Sequence, residues 1–93
     1  MPDKHEGREL IIGTYTERLP HVDGKADGVL SCSFDGTAVG PPRTLARTRN
    51  PSFIVLSGDG RRLYAVNETV TFEDQPGGGV SAFSRDPATG ELS

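Results

Sequence analysis

The sequence of 93 residues has one cysteine, no tryptophan and only six other aromatic residues. A lone cysteine, Cys32, excludes an internal disulfide framework and a cysteine-rich zinc site, and it favours a reducing, cytoplasmic location. No run of 18 apolar residues occurs, so no transmembrane helix is expected, and no membrane partner. The polar residues 1–9 lack the apolar segment of a secretory signal peptide.

The sequence also lacks an excess of positive charge, because its formal net charge is −3. A nucleic-acid-binding domain usually carries a basic patch, so a nucleic-acid partner is not expected. Arginines are frequent in the middle of the chain, but acidic residues flank them, which predicts a solvated surface. His21 and the acids scattered around it do not have the spacing of metal ligands, so we expect no metal and no organic cofactor.

Hydrophobic residues make up only 33% of the chain, whereas glycine and proline occur 12 and 7 times. No window shows a helical period of useful length, and the turn residues recur too often for helices. Short runs of β character lie between them. The pattern predicts an all-β fold of antiparallel meanders over residues 9–93, preceded by a flexible N-terminal tail at residues 1–8.

An internal repeat organises these strands. Gly28, Val29 and Asp35 align with a second set 51 residues later, and residues 10–15 align in pattern with residues 63–68 at an offset of 53. Four short strands in roughly 50 residues is the period of a β-propeller blade. The chain therefore predicts just under two blades, the first over about residues 10–48 and the second over about residues 52–93, incomplete.

Letters A to D denote the strands of a blade from the central channel outwards. The first blade is predicted to contain B, C and D, and the second to contain A, B, C and the beginning of D. The run SFIVLS is the most apolar, which predicts that strand A of the second blade is the most buried. The predicted strands span residues 10–16, 28–35, 43–48, 53–57, 62–68, 80–86 and 91–93.

Three strings, in this order and spacing, carry a resemblance to a known family. They are IGTYT at residues 12–16, NPSFIVLS with GDGRRLYAVNE at residues 50–68, and GGVSAF with DPATGEL at residues 78–83 and 86–92. From residue 11 onwards the chain resembles the start of the lactonase family of seven-bladed propellers. That family includes the bacterial propeller-type 6-phosphogluconolactonases. Gly58 departs from the family pattern, which usually has proline there.

The resemblance implies hydrolysis of 6-phosphogluconolactone to 6-phosphogluconate in the pentose phosphate pathway, with a small-molecule lactone as partner. Two alternatives remain open. One is a cycloisomerase that forms a lactone from carboxymuconate, and the other is a propeller that serves as a non-catalytic binding platform. Fold alone does not decide between these classes.

The resemblance also implies where a site would lie, on the rim where strand B runs into the long B–C loop. Glu68 is the candidate catalytic residue, able to orient a water or an arginine, and Asn67 precedes it. Thr14 and Tyr15 occupy the equivalent rim of the first blade, and Asn50 lies on the D-to-A connection. We interpret these four as candidate substrate-binding residues, each with a structural alternative in turns or packing.

Most of the family's candidate histidine, arginine and glutamate groups lie in later blades. The chain of 93 residues alone is therefore expected to be inactive, and to associate either with missing blades or with itself through open strand edges. Arg47 and Arg49 could meet a phosphate, but a solvated position is favoured. Cys32, between Leu30 and Phe34 on one strand face, is expected to be a buried structural thiol.

Overall fold

A computed structural model describes residues 8–93. These residues form two three-stranded antiparallel sheets and two small two-stranded ribbons, and they contain no helix. Accordingly, no helix in this part of the chain could span a membrane. The all-β prediction is confirmed, whereas the N-terminal tail expected at residues 1–8 lies, except for Arg8, outside the described residues.

The first sheet contains predicted strands B, C and D of one blade in the spatial order β1-β4-β5. Strand β1 ends four residues before its predicted end, because the amide of Thr14 leaves the sheet to donate to the carbonyl of Pro51 at 2.9 Å. The three strands are Arg8–Ile12 (β1), Val29–Phe34 (β4) and Arg43–Ala46 (β5).

The second sheet has the spatial order β10-β7-β6, so that predicted strand B lies between C and A. A bridge between Arg85 and Leu92 begins a fourth strand where predicted strand D begins. The three strands are Pro51–Leu56 (β6), Arg62–Asn67 (β7) and Gly79–Ser84 (β10). The two sheets thus have the strand order of just under two propeller blades.

Each loop between predicted strands B and C contains a two-stranded ribbon whose strands are two residues long. The first ribbon pairs β2 (Arg18–Leu19) with β3 (Val22–Asp23), and the second pairs β8 (Thr71–Phe72) with β9 (Gln75–Pro76). Corresponding residues of the ribbons are 53 positions apart, so the repeat extends through loops that the sequence shows only as polar segments. The turn at Glu73 and Asp74 has positive φ at both residues, as a type I′ hairpin turn requires.

The core lies between the two sheets. Val29 of the first sheet and Leu63 and Ala65 of the second are at most 1% exposed. Alternation along β7 explains this arrangement, since every second side chain of this strand points towards the first sheet. Partly buried apolar side chains surround these three: Ile11, Leu45, Ala46, Ile54, Phe83 and Leu92.

The prediction that strand A of the second blade is the most buried strand is wrong. Phe53 is 63% exposed and Val55 48%, although β6 is the most apolar strand. The reason is positional, because β6 is an edge strand whose Phe53 and Val55 point away from the first sheet. Their cross-strand partners on β7, Val66 and Tyr64, share this exposed face.

An ion pair joins the sheets at the end opposite to the ribbons. The guanidinium of Arg85 contacts the carboxylate of Glu9 at 3.1 Å, and both side chains are largely buried. Arg85 also donates to the carbonyl of Gly60 at 3.0 Å, and Glu9 accepts from the hydroxyl of Ser31. Since Glu9 lies on β1 and Arg85 directly follows β10, these bonds fix the two blades against each other.

Candidate functional site

The rim is the edge of the two sheets where β1 and β7 end and the ribbons begin. Strands β1 and β5 are both antiparallel to β4, so β5 ends at the same edge as β1. From this edge the chain continues through Asn50 into β6. All five residues predicted from the sequence as site residues therefore lie on the rim, in three segments. These are Thr14 and Tyr15, then Asn50, then Asn67 and Glu68.

The carboxylate of Glu68 binds two side chains from the first blade. The hydroxyl of Tyr15 donates to its Oε1 at 2.8 Å, and Nε2 of His21 lies 3.1 Å from its Oε2. The rings of Tyr15 and His21 pack edge to face with centroids 5.6 Å apart. We refer to Tyr15, His21 and Glu68 as the rim cluster.

The hydrogen bonds of the rim cluster set its charge. The bond from Tyr15 lowers the pKa of Glu68 below its ordinary value, and the Ser52 hydroxyl and the nearby His21 lower it further. The same bond to Glu68 raises the pKa of Tyr15 above its ordinary value. At neutral pH Glu68 is therefore a carboxylate with both oxygens engaged, and Tyr15 remains a protonated donor.

The side-chain amide of Asn50 is fully buried and joins both blades. Its Oδ1 accepts from the backbone amides of Thr16 and Glu17 at 2.7 and 3.0 Å, and its Nδ2 donates to the carbonyl of Glu68 at 3.1 Å. Its φ of 39° lies in the left-handed region, which asparagine tolerates better than most residues. Asn50 thus holds the segments that carry Tyr15 and Glu68.

Asn67 is also fully buried, and all its side-chain bonds are internal. Its Nδ2 donates to the hydroxyl of Thr48 and to the carbonyl of Arg49, and its Oδ1 accepts from Ser81 at 2.7 Å. Thr14 donates its hydroxyl to the carbonyl of Gly28 at 2.6 Å. Direct contact of these residues and Asn50 with a substrate stays a prediction, and their bonds make them supports of the rim.

Arg49 links the residue before the first ribbon to the second ribbon, and this bonding occupies its guanidinium. It forms a two-pronged ion pair with Glu17 and also donates to the carbonyl of Thr71 at 3.0 Å. Arg47 is an exposed partner of Asp27, at 3.5 Å. Neither arginine is poised for a phosphate in this arrangement.

Two hollows flank Glu68 on the rim. One, of about 170 Å³, lies between the first ribbon and the residues that lead into the second, and the other, of about 410 Å³, lies above the ends of β7 and β10. The smaller hollow has apolar walls and a polar end formed by His21 and Glu68. Its lining residues are Leu19, Pro20, His21, Glu68, Thr69 and Val70.

The contact of His21 with Glu68 was not predicted from the sequence, because the two residues are 47 positions apart. A signal for the Tyr15–Glu68 bond was present, since these residues are 53 positions apart and so occupy equivalent places in neighbouring blades. Cys32 is buried and unpaired, as predicted. Among the described residues no group of three or more histidine, cysteine or acidic side chains is arranged to hold a metal.

The ion pair between Arg49 and Glu17 predicts a loss of stability in acid. Arg49 lowers the pKa of Glu17 below its ordinary value of 4.5. A carboxylate whose pKa is lower in the folded state stabilises that state above its unfolded-state pKa, and the contribution disappears as pH falls through the folded-state pKa. We therefore expect the free energy of unfolding to fall below about pH 4.5, and less steeply in Glu17→Gln.

Urea unfolding at a series of pH values between about 3 and 7 measures this difference. Glu73→Gln is the matched control, because it removes the same charge from an exposed turn of the second ribbon. Equal pH dependence in wild type and Glu17→Gln would contradict the prediction.

Comparison with known proteins places the chain in a family. The family model "Lactonase, 7-bladed beta-propeller" matches residues 9–93. The crystal structure of a Bacteroides uniformis protein, provisionally assigned as a 6-phosphogluconolactonase, is 36% identical with a TM-score of 0.67. The match covers 90% of this chain and 22% of that chain. No protein of curated function matches. The chain belongs to the lactonase family of seven-bladed β-propellers.

Proposed function

We propose that this chain contributes just under two blades of a lactonase that hydrolyses 6-phosphoglucono-1,5-lactone to 6-phosphogluconate. The observation that carries the proposal is the family match over residues 9–93, together with the likeness to the Bacteroides uniformis protein. We also propose that the complete enzyme is cytoplasmic and acts in the pentose phosphate pathway. Because the chain spans only 22% of that neighbour's length, the reaction is proposed for the complete propeller.

Opening a cyclic ester requires an activated water, donors for the charge that develops on the carbonyl oxygen, and cations for the anionic group of the substrate. Glu68 can contribute to the first requirement, the activated water, only as a fixed negative charge that orients another group. Its lowered pKa and its two engaged oxygens make it a poor proton acceptor at neutral pH, but a suitable group for orienting a neighbour. Tyr15 holds this carboxylate in place.

The exposed apolar face of the second sheet fits the same proposal. Phe53, Val55 and Val80 on this face are 48–67% exposed, and Tyr64 and Val66 are both 41% exposed. Contiguous apolar faces of this kind mark packing sites. We propose that a third blade of the propeller covers this face, as the first sheet covers the opposite face.

The test is a lactonase assay on the complete propeller with 6-phosphogluconolactone, measured against the spontaneous hydrolysis of the same substrate. We expect Glu68→Gln to lower kcat by about 10- to 100-fold, because small displacements of an oriented group reduce rates by such factors. Glu73→Gln, in the exposed turn of the second ribbon, should retain the wild-type rate.

Either of two results would contradict the proposal. If the wild-type protein bound the lactone or its product without turnover, the propeller would be a binding platform. If it formed a lactone from a carboxymuconate and left 6-phosphogluconolactone unchanged, it would be a cycloisomerase.

A further inference from the structure

We propose that His21 is the general base of this site, and that Glu68 is the residue that positions it. This inference rests on the lactone hydrolysis proposed above and assigns the proton-accepting step to a side chain of the first ribbon. His21 would take a proton from the water that attacks the lactone carbonyl.

The contact with Glu68 determines which imidazole nitrogen is available. A carboxylate only accepts hydrogen bonds, so in the 3.1 Å contact between His21 and Glu68 the ring hydrogen lies on Nε2. The neutral ring then has its lone pair on Nδ1, which is the atom that can accept a proton from water. In Ser-His-Asp hydrolases a carboxylate likewise fixes the histidine tautomer, although there it binds Nδ1–H and leaves Nε2 as the base.

Two further contacts limit the motion of the imidazole. The edge-to-face packing against Tyr15, with an interplanar angle of 86°, restricts its tilt. The hydroxyl of Tyr15 also fixes the other oxygen of Glu68 at 2.8 Å, so the carboxylate that holds the ring is itself held. Tyr15 and Glu68 are in turn secured through the buried amide of Asn50 and its bonds to Thr16, Glu17 and Glu68.

His21 is open to a substrate, whereas the atoms that support it are engaged. Its side chain is 56% exposed and, with Glu68, lines the 170 Å³ hollow beside the first ribbon. Leu19, Pro20 and Val70 form apolar walls of this hollow.

The proposed reaction balances without any added reactant. As water attacks, the bond between its oxygen and the carbonyl carbon forms, and its proton moves to Nδ1 of His21. When the tetrahedral intermediate collapses, the bond between the carbonyl carbon and the ring oxygen breaks, and the imidazolium returns the proton to that oxygen. The product is the open-chain hydroxy acid, which ionises in solution, and His21 is again neutral.

The test uses the complete propeller, 6-phosphogluconolactone and the variant His21→Ala. We expect kcat to fall by about 100-fold or more while KM changes little, because general-base catalysis contributes about this factor. Added imidazole should restore part of the lost rate, since the side chain removed is exposed to solvent. His5→Ala is the matched control, because His5 and His21 are the two histidines of the chain.

The outcomes separate this inference from the function on which it rests. If the wild type hydrolyses the lactone and His21→Ala does so equally well, the inference fails and the proposed function stands. If His21→Ala loses activity without rescue by imidazole and also unfolds at lower temperature, its role is structural and the inference fails. If the wild type does not accelerate hydrolysis, the proposed function and this inference both fail.

Discussion

Replacing Asn50 by alanine is expected to lower the free energy of unfolding by about 3–5 kcal/mol. The change leaves the partly buried amides of Thr16 and Glu17 without an acceptor, and each unsatisfied buried group costs about 1–3 kcal/mol. It also places alanine at a φ of 39°, which adds about 1 kcal/mol. Small domains are stable by only about 5–15 kcal/mol, so this loss would remove a large part of the total stability.

Urea unfolding followed by circular dichroism measures the effect, since the chain has no tryptophan to report by fluorescence. Asn50→Gly separates the loss of hydrogen bonds from the backbone strain, because glycine accepts a positive φ without strain but lacks the side-chain amide. We expect Asn50→Gly to lose nearly as much stability as Asn50→Ala. If Asn50→Gly were as stable as the wild type, backbone strain and not hydrogen bonding would be the role of Asn50.

Replacing Leu63 by alanine is expected to lower the free energy of unfolding by about 2–5 kcal/mol, the range for a fully buried leucine. Leu63 is 1% exposed and packs with Val29 and Ala65 between the sheets. Because this contact joins the two blades, the loss should affect both sheets together. The shift of the urea midpoint at constant m-value measures this loss of unfolding free energy.

Leu56→Ala is the matched control. Leu56 pairs with Leu63 across β6 and β7, but it is 44% exposed, so its truncation should lower the free energy of unfolding by less than about 1.5 kcal/mol. Leu56 and Leu63 share one face of the sheet and differ in burial, so equal losses would contradict the placing of Leu63 at the buried centre of the core.

Local patterns made most of the fold predictable. Alternation along β7 and the turn residues around each strand identify the β segments, and the offsets of 51 and 53 residues identify the blade repeat. Both signals depend only on neighbours in the chain. The bounds of β1 were less predictable, because its early end depends on the bond between Thr14 and Pro51, which are 37 positions apart.

Burial was the property that the sequence predicted least well. The apolar run of β6 indicates a strand that packs against another element. It does not indicate which face of the strand is covered or which element covers it. The side chains of Phe53 and Val55 point away from the first sheet, so they are exposed in the structure of residues 8–93. In contrast, Asn50 and Asn67 are polar and fully buried, because they satisfy backbone groups that converge on the rim.

The amino-acid sequence by itself determined the β meander, the repeat, the resemblance to the lactonase family and the rim as the place to look. The tertiary structure alone decided how the rim residues divide into supports and a chemical cluster. Tyr15 and His21 reach Glu68 only because two equivalent blade edges are packed side by side. Contacts of this kind join residues about 50 positions apart, and no local pattern records which of their side chains will meet.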